Sequence, residues 1–369
     1  KETMKVVVGC YDGTLHGWDT DSKVDKSADS EADKLNAMQL VFAYEAHFSC
    51  TTTVAASRNW LKYNVAKNAR NGASNTFLAS GGSDEIIKVY DLGKLKEIGE
   101  LVEHTDSILC LAFVGNKFLL SGGRDGKLCV WRCKDWNLVS ELKGHKAGPV
   151  TSLAVHPTGK IALSTSKDNS IRMWNLENAR PASRNRIKGY REFSHSMFSE
   201  DGLAYVVVGN DRDVLLFKVD DGKKGGACQT FKQNQRVNAI SFEGGYLVIG
   251  LEDGKIACHK YSTETHEVDE EPKIVDCGFR VRGVSAHVGC DGKTFIVGAL
   301  STGQIVFWDL AEMKIVNKLQ AGSSSHVTCM VCPDDRPLED SVDETETASS
   351  NKRSERKPKP SNKRAKTKR

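Results

Sequence analysis

Apolar and polar positions along the chain follow one recurring order. An apolar strand is followed by a polar turn that usually holds an aspartate, and then by a second strand with an aromatic residue near its end. Seven segments share this order: DGTLHGWD, DEIIKVYD, DGKLCVWR, DNSIRMWN, DRDVLLFK, DGKIACHK and TGQIVFWD. One spacing relates Asp12 to Trp18, Asp84 to Tyr90, Asp125 to Trp131, Asp168 to Trp174, Asp211 to Phe217, Asp253 to His259, and Thr302 to Trp308. The pattern predicts an all-β protein of seven repeats.

The interval between the first two aromatic positions, Trp18 and Tyr90, is much longer than the others. The middle copies recur at about 40–45 residues, which suits a four-stranded repeat. Two insertions without alternating apolar strands account for the extra length: a polar, acidic segment at 21–36 and SRNWLKYNVAKNARNGASN at 57–75. No eighth repeat is therefore needed. We expect the second insertion to join the first and second strands of its repeat.

The last apolar segment, HVTCMVC at 326–332, is a single strand followed at once by Pro333 and a charged run. The first repeat, in turn, lacks its first strand. We therefore predict that 326–332 pairs with the strand at Lys5–Gly9, so that one blade contains both ends of a closed, seven-bladed β-propeller. Closure leaves only short, protected strand edges. The predicted domains are a propeller at 1–333 and a disordered, acidic-then-basic tail at 334–369.

Charge is concentrated in that tail. Residues 351–369 contain ten Lys or Arg against the single acid Glu355, a charge of +9, so a net charge of +4 leaves −5 for the rest of the chain. A bipartite nuclear import signal is indicated by Lys352, Arg353, Lys363, Arg364, Lys366, Lys368 and Arg369. Basic clusters of this kind also bind RNA phosphates. The alternative is a solvated charged tail that no specific partner recognises.

Composition is that of a soluble globular protein, with 39% hydrophobic and 27% charged residues. No apolar stretch approaches the roughly 18–20 residues that cross a bilayer, so we expect an intracellular protein without a membrane partner. Eleven cysteines, an odd number, argue against a secreted disulfide framework. Cys329 and Cys332 form a C-x-x-C, but residues three apart in a strand point to opposite faces, and no second pair completes a zinc set.

The repeats resemble the WD-repeat family over residues 4–333, most closely at GHKAGPVTSLAVHPTGKIALSTSKDNSIRMWNL. In that family a His, a Ser or Thr, an Asp and a Trp form a hydrogen-bonded set within a blade. The resemblance assigns three such sets here: His145, Ser164, Asp168, Trp174; His104, Ser121, Asp125, Trp131; and His47, Ser80, Asp84, Tyr90. A hydrolase triad is the competing interpretation, but an active site needs one copy beside a substrate pocket. We expect no catalytic residue, metal or cofactor.

A closer resemblance is to the p21-activated kinase-interacting protein family. It is carried by DLGKLKEIGELVEH, KDWNLVSELKGHKAGPV and NRIKGY, with degenerate later repeats before a basic tail. The resemblance implies a non-catalytic scaffold in nuclear and nucleolar assembly of the large (60S) ribosomal subunit. The implied partners are assembly proteins, pre-60S particles and RNA through the tail. Binding and inhibition of a p21-activated kinase is the alternative function, and an enzyme using the central channel is a third.

Three sets of residues are candidates for partner binding. The turns before the repeated Asp are expected on one face of the propeller, and they contribute Tyr11, Ser83, Arg124, Lys167, Asn210, Glu252 and Ser301. A second set is the basic run Arg180, Arg184, Arg186, Lys188 and Arg191, interleaved with Tyr190 and Phe193, which suits phosphate binding and base stacking. The third lies in the second insertion, where Arg58, Lys62, Lys67 and Arg70 accompany Trp60 and Tyr63.

Overall fold

Strands and the turns between them form the whole described backbone of the computed structural model, which covers residues 5–20, 38–57, 76–145, 148–219, 227–288, 292–322 and 326–333. The strands form seven antiparallel sheets, which we number as blades. The predicted all-β propeller of seven blades is confirmed. The predicted tail at 334–369 lies outside the described residues.

Over the described residues each blade has four neighbouring strands, and blade 6 has a short fifth one. In sheet order, blade 1 contains β29 (Val327–Val331), β1 (Lys5–Cys10), β2 (Thr14–Thr20) and β3 (Met38–Glu45); blade 2 contains β4 (Thr51–Ala56), β5 (Phe77–Gly82), β6 (Ile86–Asp91) and β7 (Lys96–Val102). Blade 3 contains β8 (Ile108–Val114), β9 (Phe118–Gly123), β10 (Leu128–Arg132) and β11 (Asn137–Glu141); blade 4 contains β12 (Val150–Val155), β13 (Ile161–Ser166), β14 (Ser170–Asn175) and β15 (Arg180–Asn185). Blade 5 contains β16 (Phe193–Phe198), β17 (Ala204–Gly209), β18 (Asp213–Lys218) and β19 (Gln229–Lys232). Blade 6 contains β20 (Val237–Glu243), β21 (Tyr246–Leu251), β22 (Lys255–Ser262) and β24 (Lys273–Asp276), with β23 (Glu267–Val268) added at the end of β22; blade 7 contains β25 (Val281–Val288), β26 (Thr294–Leu300), β27 (Gln304–Asp309) and β28 (Lys314–Gln320).

Blade 1 closes the ring as the sequence predicts. Strand β29 pairs antiparallel with β1, with Val7 opposite Val331 and Gly9 opposite Cys329. The first strand of every blade contacts the first strand of the next, from β4 through β8, β12, β16, β20, β25 and β29 back to β4. In the chain, 21–36 falls between β2 and β3 of blade 1, and 57–75 falls between β4 and β5, the first two strands of blade 2.

Within the described residues the core consists of seven apolar clusters, each between two neighbouring blades. Alternate residues of one strand enter different clusters, because successive side chains in a strand point to opposite faces. In β1, Val6 and Val8 pack towards blade 7, whereas Val7 packs towards blade 2. A second strand buried on both faces therefore reads as a continuous apolar run, such as AYVVVG in β17.

A β-bulge recurs in the first strand of every blade, and the sequence pattern did not reveal it. The extra residues are Thr328, Thr52, Leu109, Thr151, Ser194, Asn238 and Arg282. Where the residue is threonine, its hydroxyl reaches the next blade. Thr151 Oγ1 donates to the Phe193 carbonyl at 2.6 Å, and Thr52 and Thr328 donate to the carbonyls of Ile108 and Thr51. These hydrogen bonds tie consecutive blades together at the centre of the ring.

Candidate binding face and buried polar networks

Blade 4 contains a complete buried hydrogen-bonded chain of four side chains. His145 Nδ1 lies 3.2 Å from Asp168 Oδ1, and His145 Nε2 lies 2.7 Å from Ser164 Oγ. Trp174 Nε1 donates to the same Ser164 oxygen at 2.8 Å. Asp168 also accepts from the backbone N–H of Ser170 at 3.0 Å. The chain therefore connects the loop before β12 to the β13–β14 turn and to the third strand.

Blade 3 repeats this arrangement. His104 Nδ1 lies 3.1 Å from Asp125 Oδ2, His104 Nε2 lies 2.9 Å from Ser121 Oγ, and Trp131 Nε1 donates to that oxygen at 2.9 Å. The backbone N–H groups of Thr105 and Lys127 donate to the Asp125 carboxylate at 3.0 and 2.9 Å. The Asp125 carboxylate thus joins the β9–β10 turn to the loop before β8.

Blade 2 keeps only part of the set. His47 bridges Asp84 at 3.0 Å and Ser80 at 2.8 Å. Tyr90 fills the tryptophan position and stacks on Tyr44 with ring centroids 5.4 Å apart. Its buried hydroxyl has no partner within ordinary hydrogen-bond geometry among the described residues, although Ser80 lies near enough to affect its pKa, so the assignment of Tyr90 to the hydrogen-bonded set stays a prediction. A phenol oxygen at the ring tip does not reproduce an indole N–H.

The pKa values of the network residues depend on burial and on their hydrogen-bonded partners. Burial lowers the pKa of His47 and of His145, and the partner carboxylate only partly opposes that effect. For Asp125, burial opposes ionisation, but backbone hydrogen bonds and His104 together lower the pKa of the carboxyl. Hydrogen bonds from Ser170 and His145 lower the pKa of Asp168 in the same way, against the effect of burial. The blade 4 network therefore holds a neutral imidazole against a charged carboxylate.

The seven turn residues predicted to share one face occupy equivalent positions. In every blade the backbone N–H of the turn residue donates to a carbonyl in the segment that leads into the first strand: Tyr11 to His326, Ser83 to Cys50, Arg124 to Ser107, Lys167 to Pro149, Asn210 to Glu192, Glu252 to Arg236, and Ser301 to Arg280, at 2.8–3.3 Å. Each turn therefore lies beside the loop that enters its own blade. We call the surface formed by these turns and loops the turn face.

Aromatic side chains stand out on the turn face between blades 7 and 2. Tyr11 is 68% exposed, and Phe48, in the loop directly after His47, is 98% exposed. Phe279, in the loop before β25, is 52% exposed. Sequence patterns singled out Tyr11 alone. Phe48 was detectable in principle, because a residue next to the network histidine must lie on the same face as the turns.

Basic residues of the turn face differ in how far they are neutralised. Lys167 pairs with Glu192 at 3.3 Å, Arg236 with Asp211 at 3.1 Å, and Arg280 with Glu252 at 2.5 Å, each between consecutive blades. Arg124 is exposed in the β9–β10 turn of blade 3. The turn face is thus of mixed charge, with Arg124, Tyr11 and Phe48 as its most available anchors.

The basic run at 180–191 lies on the outer strand of blade 4 and in the loop that follows. Arg180, Arg184, Arg186, Lys188 and Arg191 are all exposed. The two aromatic residues are not available for base stacking, which corrects that part of the prediction. Phe193 is fully buried in the core, and the Tyr190 hydroxyl donates to Asp213 Oδ2 at 3.1 Å. The run offers charge without a stacking platform.

The C-x-x-C residues separate as predicted. Cys329 packs into the cluster between blades 1 and 2, whereas Cys332 packs against the cluster between blades 7 and 1. Burial raises the pKa of the Cys329 thiol to about 12, which keeps it protonated. Across the described residues, no group of three or more His, Cys, Asp or Glu is arranged to hold a metal ion, and no helix is long and apolar enough to cross a membrane.

The import-signal residues Lys352, Arg353, Lys363, Arg364, Lys366, Lys368 and Arg369 lie outside the described residues. So do the basic and aromatic residues predicted in the second insertion.

Comparison with known proteins agrees with this architecture. Residues 95–132 and 136–175 match the family described as WD domain, G-beta repeat. The p21-activated protein kinase-interacting protein 1-like of Danio rerio is 30% identical over 336 residues, covering 89% of this chain and 80% of that protein. Its Xenopus laevis counterpart is 30% identical over 89% of this chain and 82% of its own length. Protein MAK11 of Saccharomyces cerevisiae is 26% identical over 91% of this chain and 84% of its own length. The chain belongs to the WD-repeat family of p21-activated protein kinase-interacting protein 1-like proteins.

Proposed function

We propose that this protein is a non-catalytic scaffold in nuclear and nucleolar assembly of the large ribosomal subunit, and that its turn face binds assembly proteins. The observation that carries the proposal is the exposed aromatic pair Tyr11 and Phe48 on a rigid ring, with Arg124 on the same face. Aromatic residues and arginine dominate the energetics of protein interfaces. The ribosomal role itself comes from the family resemblance seen in the sequence.

Catalysis by the His–Ser–Asp sets is disfavoured by access, although their distances resemble those of a hydrolase triad. Ser80, Ser121 and Ser164 are each 0% exposed. In blades 3 and 4 the serine oxygen already accepts an indole N–H. A nucleophile must be able to touch its substrate. The sets are therefore best explained as satisfied internal networks, which specify the blade geometry.

The tail at 334–369 is proposed as a disordered segment outside the propeller at 1–333. Its basic end would direct nuclear import and add salt-dependent contact with pre-ribosomal RNA. The charge of +9 in 351–369 supports this role.

The test is co-sedimentation of the tagged full chain with large-subunit precursor particles from nuclear extract. A turn-face variant, Tyr11→Ser with Phe48→Ser and Arg124→Glu, is expected to leave the precursor fractions. The matched control carries Leu203→Ser, Met313→Ser and Lys160→Glu in turns at the opposite ends of the strands, and it should co-sediment like the unmodified protein. Equal behaviour of the two variants would contradict the assignment of the turn face.

A second candidate function is binding and inhibition of a p21-activated kinase. The relatives from Danio rerio and Xenopus laevis are named for interaction with that kinase. A saturable complex between the purified chain and the kinase regulatory segment, with loss of kinase activity, would support it. Absence of binding at micromolar concentrations, together with co-sedimentation in the first experiment, would leave the assembly role alone.

A further inference from the structure

One cross-strand position can be compared across all seven blades, because it lies two residues before the repeated aromatic position. The residue on the third strand faces a residue on the outer strand in each blade. The pairs are His16 and Ala43, Lys88 and Glu100, Cys129 and Glu141, Arg172 and Arg184, Leu215 and Thr230, Ala257 and Ile274, and Val306 and Lys318. Among these seven pairs, only those of blades 2 and 4 have a charged residue on both strands. The two charges have opposite signs in blade 2 and the same sign in blade 4.

In blade 2 the pair is complementary. Lys88 Nζ lies 3.1 Å from Glu100 Oε1 and 3.7 Å from Glu97 Oε2. In blade 4 the same two positions hold Arg172 and Arg184, whose Cβ atoms are expected about 5 Å apart for directly opposed residues. Like charges in this relation destabilise a sheet. Within the described residues, neither arginine forms an ion pair with an acidic side chain.

Arg172 is held in place by its surroundings. Its side chain passes over Gly144, where a Cβ atom would lie 3.1 Å from Arg172 Cδ. Its Nε atom is buried and has no hydrogen-bond partner among the described residues. Burial and the charge of Arg184 lower the pKa of the Arg172 guanidinium, Asp168 partly opposes this effect, and Arg186 adds to it. Buried donors are normally satisfied, so Arg172 is under-paired within the protein itself.

We propose that Arg172 and Arg184, with Arg186 beside them, form a phosphate-binding site at the outer edge of blade 4, and that its ligand is the backbone of RNA. An anion between the two guanidinium groups would replace repulsion by charge-assisted hydrogen bonds. Phosphate oxygens match the fork of donors on arginine better than water does.

The distribution of charge favours RNA over a phosphorylated peptide. Arg180, Arg184, Arg186, Lys188 and Arg191 continue the positive charge along β15 and the following loop, and all are exposed. A strand rises about 3.3 Å per residue, so this edge presents charges in a line over several residues. A linear polyanion can engage such a line, whereas a single phosphoryl group engages one end of it. Since no aromatic ring is available there, binding should depend on the backbone and not on base sequence.

This assignment rests on the proposed function and adds a folded RNA contact to the one proposed for the tail, but it is tested separately. The full chain is titrated into a fluorescein-labelled oligouridylate of about 12 nucleotides, a length typical of single-strand sites. Arg184→Glu should form an ion pair with Arg172 like that of Lys88 and Glu100. It should weaken RNA binding on the order of tenfold and reduce the slope of log affinity against log salt by about 1. Inorganic phosphate should raise the Tm of the unmodified protein and leave that of Arg184→Glu unchanged.

The control is Lys318→Glu, which makes the same change of charge at the equivalent position of blade 7. It should retain RNA binding, because Lys318 faces Val306 and not a second cation. Arg172→Gln should weaken binding as Arg184→Glu does. Folding is monitored by the Tm without ligand, which should rise by about 1–4 °C in Arg184→Glu as repulsion becomes attraction.

Equal losses in Arg184→Glu and Lys318→Glu would overturn the site, since only net charge would then matter. Tighter, Arg184-dependent binding of a phosphoserine peptide than of the oligonucleotide would overturn RNA as the ligand. Co-sedimentation with precursor particles is measured in parallel. If co-sedimentation is lost in the turn-face variant but not in Arg184→Glu, the scaffold role stands whatever the RNA result. Failure of one proposal is therefore distinguishable from failure of the other.

Discussion

In the networks of blades 3 and 4, one side chain forms hydrogen bonds to two different parts of a blade. Asp168 accepts from His145 and from the backbone of its own turn, and Ser164 bridges that histidine to Trp174. In this hydrogen-bonded set each buried polar atom is satisfied by its neighbour. A buried donor left unpaired costs more free energy than the hydrogen bond itself contributes. Loss of a single member should therefore be felt through the groups left behind.

We expect Asp168→Ala to destabilise the protein by about 1–3 kcal/mol, because His145 and the backbone N–H and hydroxyl of Ser170 lose their acceptor. The matched change is Asp253→Ala in blade 6. Asp253 is exposed, accepts from the backbone N–H of Lys255 at 3.2 Å and pairs with the Lys255 ammonium at 3.6 Å, without a histidine partner. Thermal melts compare the two. Equal Tm values for Asp168→Ala and Asp253→Ala would show that the buried network contributes nothing beyond turn capping.

The network histidines should also make stability dependent on pH. Burial lowers the pKa of His47 and His145 below the unfolded value of about 6.5. Below that pH the unfolded chain binds more protons than the folded one, so the free energy of unfolding falls as the pH falls. Stability should be complete above about pH 7 and should decline from about pH 6.5 downwards. Tm values across this range test the effect, and a decline equally steep in His145→Gln would exclude His145 as a contributor.

At the scale of strands, closure depends on the close approach of β29 and β4 to β1. A Cβ atom at Gly9 would lie 2.5 Å from Thr51 Cγ2 and 2.7 Å from Cys329 Sγ. The strands that meet here belong to blades 1 and 2, and Cys329 lies on the strand that closes the ring. Glycine is therefore required by space at this position, not by an unusual backbone conformation.

Gly9→Ala should destabilise the protein by about 1–3 kcal/mol, as overpacking in a filled core does. Gly99→Ala on the outer strand β7 provides the control, since nothing lies within 4 Å of a Cβ atom there. That change should be neutral or slightly stabilising, because alanine restricts the unfolded chain. Chemical denaturation of both variants measures the difference. A neutral Gly9→Ala would mean that β29 can move away from β1 at little cost.

The strands and their closure were predictable because each followed from spacing within the chain. The single strand at 326–332 had only one incomplete blade to join. Contacts between residues that no pattern relates were not predictable. The internal contacts of Tyr190 and Phe193 and the opposition of Arg172 to Arg184 depend on the outer-strand register and on loop paths, which local patterns do not specify. Tyr90 is a related case, because its position matches the tryptophans, while its hydroxyl lies near Ser80 without the short hydrogen bond that the indoles of Trp131 and Trp174 donate.

At the scale of the whole molecule, the proposed function is divided between a rigid ring and a charged segment. The ring is held by seven inter-blade cores and by hydroxyl contacts between first strands, so it can present the turn face without rearrangement. Specificity is then a property of side chains placed on that face and on the edge of blade 4. Long-range attraction to RNA does not need a folded site and can reside in the tail.

Removal of residues 351–369 tests this division. The segment carries +9 and contains Pro and Ser, which keep such a chain extended and accessible. Its deletion should leave the melting curve nearly unchanged, because no core residue is lost, yet it should shift the protein from nucleus to cytoplasm. RNA binding should weaken and depend less steeply on salt, since fewer counterions are released. A variant that retains the length but replaces the ten Lys and Arg by Gln should behave like the deletion, because charge and not chain length is responsible. If either protein still accumulates in the nucleolus, the import signal lies elsewhere or a bound partner carries the propeller in, and the tail then has no part in localisation even if the turn face retains its role in assembly.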